Sequence, residues 1–169
     1  MVKREVLSVI VDNNSGVLAR IASLFGRRSY NIDSLTVSAT DNPKISRITI
    51  VVQGGEDEIK QIISQTMKLE EVRDVYALDE KKTVMRELLL VKVAVEKEKI
   101  GMIREIVDVY GATIVDLSVN SIIIELTGLT KKIDAFLEVI GQYQIMELCR
   151  TGITALERGE PRKQNVKTI

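Results

Sequence analysis

The residues best suited to binding chemistry lie in one run, Asp12-Asn13-Asn14-Ser15-Gly16-Val17-Leu18, at the junction of an apolar strand and an amphipathic helix. Asp, Asn and Ser side chains accept hydrogen bonds from the free N–H groups of a first helical turn, and glycine lets the backbone bend or approach another group closely. A helix start with spare N–H donors is an anion site, and a carboxylate is one such anion. Further along, Asn31 and Ile32 pair an amide with an aliphatic side chain at the start of the next strand. Each of these residues also has a purely structural reading. Asn13, Asn14 and Ser15 would serve as caps, Gly16 would serve packing, and Asn31 would tolerate a left-handed backbone.

Other chemistries are excluded by what the chain lacks. It has no His, so the usual general base and the commonest metal ligand are missing, and a single Cys rules out Cys/His zinc clusters. No Gly-rich phosphate loop or nucleophile elbow is found. No pair of acids or lysines is convincingly spaced for catalysis, so no residue is assigned a catalytic or metal-binding role. Lys plus Arg and Asp plus Glu both number 24, which gives no general attraction to nucleic acid or an anionic membrane. No apolar run reaches the roughly 20 residues that span a bilayer. The polar start Met1-Val2-Lys3-Arg4-Glu5 does not read as a signal peptide. A cytoplasmic protein is expected, with Cys149 as a buried structural thiol in a strand.

The elements that would position the loop follow from periodicity. A strand over residues 5–11 is apolar on both faces, as a central strand should be. Val17, Leu18, Ile21, Leu24 and Phe25 make a helical stripe, ended by Ser29-Tyr30-Asn31. Strand two, 32–40, alternates Leu35, Val37 and Ala39 with Ser34, Thr36 and Ser38, which suits a sheet edge. Asp41-Asn42-Pro43-Lys44 is a turn, followed by strand three at 45–53. Glu56-Asp57-Glu58 opens a second helix with its acids placed against the dipole, and strand four covers 72–78.

The order β-α-β-β-α-β then repeats. Ile48 to Gly54 matches Ile122 to Gly128 at an offset of 128 − 54 = 74, and at that offset Ile59, Ile62 and Ile63 fall on Ile133, Phe136 and Leu137. The reading is α+β, with two ferredoxin-like βαββαβ domains, each an antiparallel sheet carrying its helices on one face. The expected boundaries are a first domain at 1–79, a linker at 80–85, a second domain at 86–156 with its last strand at 145–156, and a polar tail at 157–169. Each copy is small enough to gain from burying its open sheet by pairing, so a dimer is expected.

The copies differ where chemistry is concentrated. The second has Val95-Glu96-Lys97-Glu98-Lys99-Ile100 in place of the Asn-Asn-Ser-Gly loop, and Tyr110-Gly111-Ala112 in place of Tyr30-Asn31-Ile32. If one half binds a small polar ligand, it is the first. Leu7 to Arg20 resembles the opening of an ACT domain, an amino-acid-sensing ferredoxin-like module. Arg28 to Val37, Asp41-Asn42-Pro43 and Ile45 to Ile50 continue the likeness. With Arg86 to Val93, Lys132 to Leu137 and Arg150-Thr151-Gly152-Ile153, nearly the whole chain resembles the small regulatory subunit family of acetolactate synthase (acetohydroxyacid synthase).

The resemblance implies a non-catalytic subunit that activates a large catalytic subunit and confers feedback inhibition by valine in branched-chain amino acid biosynthesis. Thiamine diphosphate, FAD and magnesium would belong to that partner, with no cofactor in this chain. It also implies a homodimer through ACT domains, with valine at the interface. Asn13, Ser15, Gly16, Val17 and Leu18 of one chain and Asn31 and Ile32 of the other would line the site. On the residues' own chemistry, helix N–H groups suit the ligand carboxylate, amides suit its ammonium or carboxylate, and Val17, Leu18 and Ile32 suit a branched side chain. The main alternative is a stand-alone ACT-type regulator of another enzyme or of transcription. RNA binding would need sheet-face aromatics, which strand three lacks, and a nickel or zinc sensor would need His.

Overall fold

A computed structural model describes residues 3–160. The polar tail beyond residue 160 lies outside the described residues. The first unit takes in residues up to 84 together with the segment from 153, and the second takes in 85–152.

In the first unit β1 (Lys3–Asp12) leads to α1 (Val17–Arg27), β2 (Ile32–Ala39), β3 (Ile45–Gly54), α2 (Glu56–Thr66) and β4 (Val72–Ala77). The sheet order is β2-β3-β1-β4, all antiparallel, so β2 and β4 are edges. Alternation sends Leu7, Val9 and Val11 of β1 and Ile48, Ile50 and Val52 of β3 into one core with Val17, Ile21 and Phe25 of α1 and Ile59 and Ile62 of α2. Phe25 meets Tyr30 edge-to-face at 5.9 Å between ring centroids, which fixes the chain where it leaves α1 for β2. The opposite side of β1 is also buried, at Val6, Ser8 and Ile10, as expected for a strand apolar on both faces.

The second unit repeats the plan with β5 (Thr83–Ala94), α3 (Ile100–Tyr110), β6 (Thr113–Leu117), β7 (Ser121–Gly128), α4 (Thr130–Ile140) and β8 (Ile145–Arg150), in the order β6-β7-β5-β8. The α2 and α4 starts, Glu56 and Thr130, keep the 74-residue offset of the sequence repeat. Ile133 and Phe136 are buried like Ile59 and Ile62, and Tyr110 sits edge-to-face on Phe136 at 5.2 Å.

Three local expectations change. Residues 83–85, read as linker, open β5: Thr83 and Glu87 are buried, both on the strand face that carries Leu89 and Val91, so the strand starts before its apolar run. The final strand is broken at Thr151-Gly152-Ile153, where Gly152 takes φ +80°, and a short β9 (Thr154–Glu157) returns to the first unit; there Arg158 N–H donates to the Lys82 carbonyl at 2.7 Å. Cys149 is exposed rather than buried. It lies on the edge strand β8 opposite Leu90, on the sheet face away from the core residues Leu89 and Val91.

Candidate functional site

The run from Asp12 to Leu18 forms a tight connection between the end of β1 and α1. Gly16 is the residue that turns it. Its φ of +87° is left-handed, yet a Cβ there would meet nothing within 4 Å. Glycine is therefore required by backbone conformation and not by close packing. No side chain caps α1 among the described residues, which corrects the capping reading of Asn13, Asn14 and Ser15. The polar side chains of the loop are used elsewhere or point outward.

Asn13 faces the turn between β2 and β3. Its backbone N–H donates to the Lys44 carbonyl at 2.8 Å and its side-chain Nδ2 to the Pro43 carbonyl at 2.8 Å. Nδ2 keeps a second N–H beside this bond and Oδ1 keeps its lone pairs, so the oriented Asn13 amide can offer a ligand an acceptor and one further donor. Val17 N–H is held loosely by the Asn14 carbonyl at 3.4 Å. The N–H groups of Leu18 and Ala19 have no partner among the described residues. The first turn of α1 contains no acidic residue, whereas the first turn of α2 contains Glu56, Asp57 and Glu58, with the Glu58 carboxylate accepting from Gly55 N–H at 3.3 Å. The positive end of α1 is thus left without a neutralising side chain.

Asn31 behaves like Asn13. Its Nδ2 donates to Asp33 Oδ1 at 3.2 Å, and Asp33 also accepts from Gln53 Nε2 at 2.9 Å. Here again Oδ1 can accept from a ligand, and a second Nδ2 N–H remains. The left-handed residue at this corner is Ser29, with φ +56°, so Asn31 is not present to supply that backbone. Ile32 is half-buried against the core, Val17 is buried within it, and Leu18 is 41% exposed. Leu18 and part of Ile32 are the apolar surface open to a ligand; Val17 contributes its backbone only. Ser15 is exposed beside Gly16.

The chain does not bring these two groups together. Ile32 lies opposite Val52, and Val52 lies opposite Glu5 near the start of β1. The loop begins at Asp12, seven residues further along the same strand, about 23 Å at ~3.3 Å per residue. Asn13 with Gly16 and Asn31 with Ile32 therefore sit at opposite ends of one sheet. The strand that carries Ile32 is an edge strand whose outer side is unpaired by β3.

Among the described residues no group of three or more carboxylates or thiols is arranged to hold a metal ion, and no helix is long and apolar enough to cross a membrane. In the second unit, the place of the loop is taken by a 3-10 turn at Lys97–Lys99. The charged cluster of that unit lies elsewhere. Glu87, with its side chain 2% exposed, accepts from Thr130 Oγ1 and from Arg150 Nε, and Arg150 also bonds Asp134 at 2.8 Å. Burial works against the Arg150 charge, but the hydrogen bonds to Glu87 and Asp134 hold its pKa above the ordinary value. This cluster is a structural clamp between the start of α4 and the end of β8, which sequence reasoning did not single out.

Residues 86–159 match the family model described as small subunit of acetolactate synthase, and residues 7–74 match that of an AHAS small subunit-like ACT domain. A probable acetolactate synthase small subunit of Archaeoglobus fulgidus is 46% identical over 156 residues, covering 92% of this chain and 98% of the relative. The acetolactate synthase small subunit of Bacillus subtilis is 39% identical over 168 residues, covering 98% of both. The crystal structure of the acetolactate synthase small subunit from Thermotoga maritima matches with a TM-score of 0.87 at 37% identity, over 94% of this chain and 99% of that one.

Proposed function

The chain belongs to the acetolactate synthase small-subunit family, and from that membership we propose that it activates a catalytic large subunit and makes that subunit answer to valine. The observation that carries the valine part is the pair of amides that are each oriented by one bond from their nitrogen within the chain. Asn13 and Asn31 each present an acceptor oxygen. An α-amino acid offers an ammonium that needs acceptors and a carboxylate that needs donors. The unpartnered N–H groups at the start of α1 are suited to the carboxylate. Leu18 and Ile32 supply aliphatic surface for a branched side chain. One methylene in such a pocket is worth only about 1–3 kcal/mol, so selectivity against leucine or isoleucine would be modest.

The two amides lie at opposite ends of one sheet, so a ligand that uses both is shared between two copies. Antiparallel pairing of two β2 edges about a two-fold axis reverses one strand relative to the other. It carries the Ile32 end of one copy toward the Ala39 end of its partner, and Asn13 is bonded to the turn that follows Ala39. A ligand seated there binds one dimer geometry better than another, which is what feedback control requires. Thiamine diphosphate, FAD and magnesium would be held by the large subunit, and the condensation of two 2-oxo acids would take place there.

Calorimetric titration of the full chain with valine, joined to an assay of the large subunit with and without this chain, tests the reading. Saturable valine binding, stimulation by the chain and reversal of that stimulation by valine are expected. A chain that neither binds millimolar valine nor stimulates a large subunit would overturn it.

A further inference from the structure

We propose that Arg73 is a positioning residue for the effector loop, acting through Asp12. The proposal rests on the assignment of the loop at 12–18 as the valine site. The β1–β4 ladder runs in register from Leu7 opposite Ala77 to Ile10 opposite Asp74 and then slips, so that Val11 faces Val72 and Arg73 is the extra residue. A bulge of this kind breaks the alternation of the strand and re-aims one side chain. Here it delivers the Arg73 guanidinium to the carboxylate at the base of the loop, with Nε 2.5 Å from Asp12 Oδ1.

The segment before Arg73 holds both ends of the loop. Asp12 N–H donates to the Glu71 carbonyl at 2.9 Å, and the Glu71 carboxylate pairs with Arg20, in the first turn of α1. The loop is thereby pinned before and after Gly16 by residues 71 and 73, while Asn13 is tied on the other side to Pro43. Asp12 and Arg73 are both partly solvent-exposed, so their pair adds little to global stability. What it fixes is where Asn13 and the start of α1 stand relative to the sheet. The second unit makes the contrast. Its edge strand β8 also slips against β5, but the extra residue there is Met146, which pairs with no acid, and the polar loop is absent. The fold keeps a bulge in both copies, and the charged side chain is found only where the loop is.

The test compares wild-type full chain with Arg73→Ala, Arg73→Lys, Asp12→Arg, Arg73→Asp and the swap that combines the last two. Calorimetry reads valine affinity, and the reconstituted enzyme reads both stimulation and half-inhibition by valine. Arg73→Ala should weaken valine binding roughly three- to tenfold, the size expected for a residue acting on a ligand through another. Stimulation of the large subunit and the melting temperature should stay unchanged. Arg73→Lys should recover part of the affinity, since an ammonium keeps the charge without the planar fork. The swap should bind valine more tightly than either of its single substitutions. Wild-type affinity in Arg73→Ala, or a swap no better than its components, would overturn the positioning role. Failure of wild type itself to bind valine would instead overturn the site on which it rests.

Discussion

Asn13 and Pro43 are joined across the end of the first sheet, side-chain Nδ2 to carbonyl oxygen at 2.8 Å. This bond orients the Asn13 amide, and Oδ1 stands ready to accept, with a second Nδ2 N–H to spare. Asn13→Ala removes the acceptor and Asn13→Asp removes the donor that orients it, setting a carboxylate oxygen beside the Pro43 carbonyl. Both variants should lose about tenfold or more in sensitivity to valine, the range of one hydrogen bond to a charged group at ~1.5–3 kcal/mol. Both should stimulate the large subunit as wild type does. The measurement is the valine concentration that half-inhibits the reconstituted enzyme; normal inhibition in Asn13→Ala would remove the residue from the site.

Gly16 allows strain and charge to be separated. Its φ of +87° should make any L-residue destabilising by about 1–2 kcal/mol, while the open space at its Cβ position means that nothing has to move aside. Gly16→Ala and Gly16→Asp should therefore show similar small losses of thermal stability. Only the aspartate would put a second carboxylate at the start of α1, where the ligand carboxylate is expected. Valine inhibition should be abolished in Gly16→Asp and largely retained in Gly16→Ala. Equal inhibition of the two variants would argue against an anion site at this helix start.

The repeat of elements was legible because buried positions obey simple periods. Ile59, Ile62, Ile133 and Phe136 are read as helix faces from spacing alone, and all four are buried as expected. What spacing could not carry was the use made of each polar group. Asn13, Asn14 and Ser15 have the composition of a cap, but the loop turns at a left-handed Gly16 and the amide of Asn13 is spent on a residue 30 positions away. A lone Cys within a strand reads as a buried structural thiol, yet β8 is an edge and the thiol faces away from the core. The slip at Arg73 depends on a one-residue mismatch between β1 and β4, which has no local signature in either strand.

The Glu87–Arg150 pair should be the point at which the second unit is most easily destabilised. Glu87 is almost fully buried and relies on Arg150 and Thr130, so Arg150→Met would leave a buried carboxylate without its cation. A loss of about 3–5 kcal/mol is expected, as for removal of one partner from a buried pair. Replacing both, as Glu87→Leu with Arg150→Met, should recover much of that loss because no uncompensated charge remains. Chemical denaturation of wild type and the two variants checks this, and a double variant less stable than Arg150→Met would contradict the account.

A site shared between two copies makes a prediction that a site within one chain does not. A mixed dimer is assembled from one chain carrying Asn13→Ala and one carrying Asn31→Ala, isolated through two different affinity tags. One of its two sites then combines both substitutions, while the other combines the intact Asn31 of the first chain with the intact Asn13 of the second. Each homodimer should bind valine about tenfold or more weakly at both sites, whereas the mixed dimer should regain one site per dimer with near wild-type affinity. If each site were built within a single chain, every site in the mixed dimer would carry one substitution and no tight site would return. The separation of about 23 Å along β1 between the ends that hold Asn13 and Asn31 leaves little room for the second outcome. Calorimetric stoichiometry of the mixed dimer therefore distinguishes the two arrangements directly.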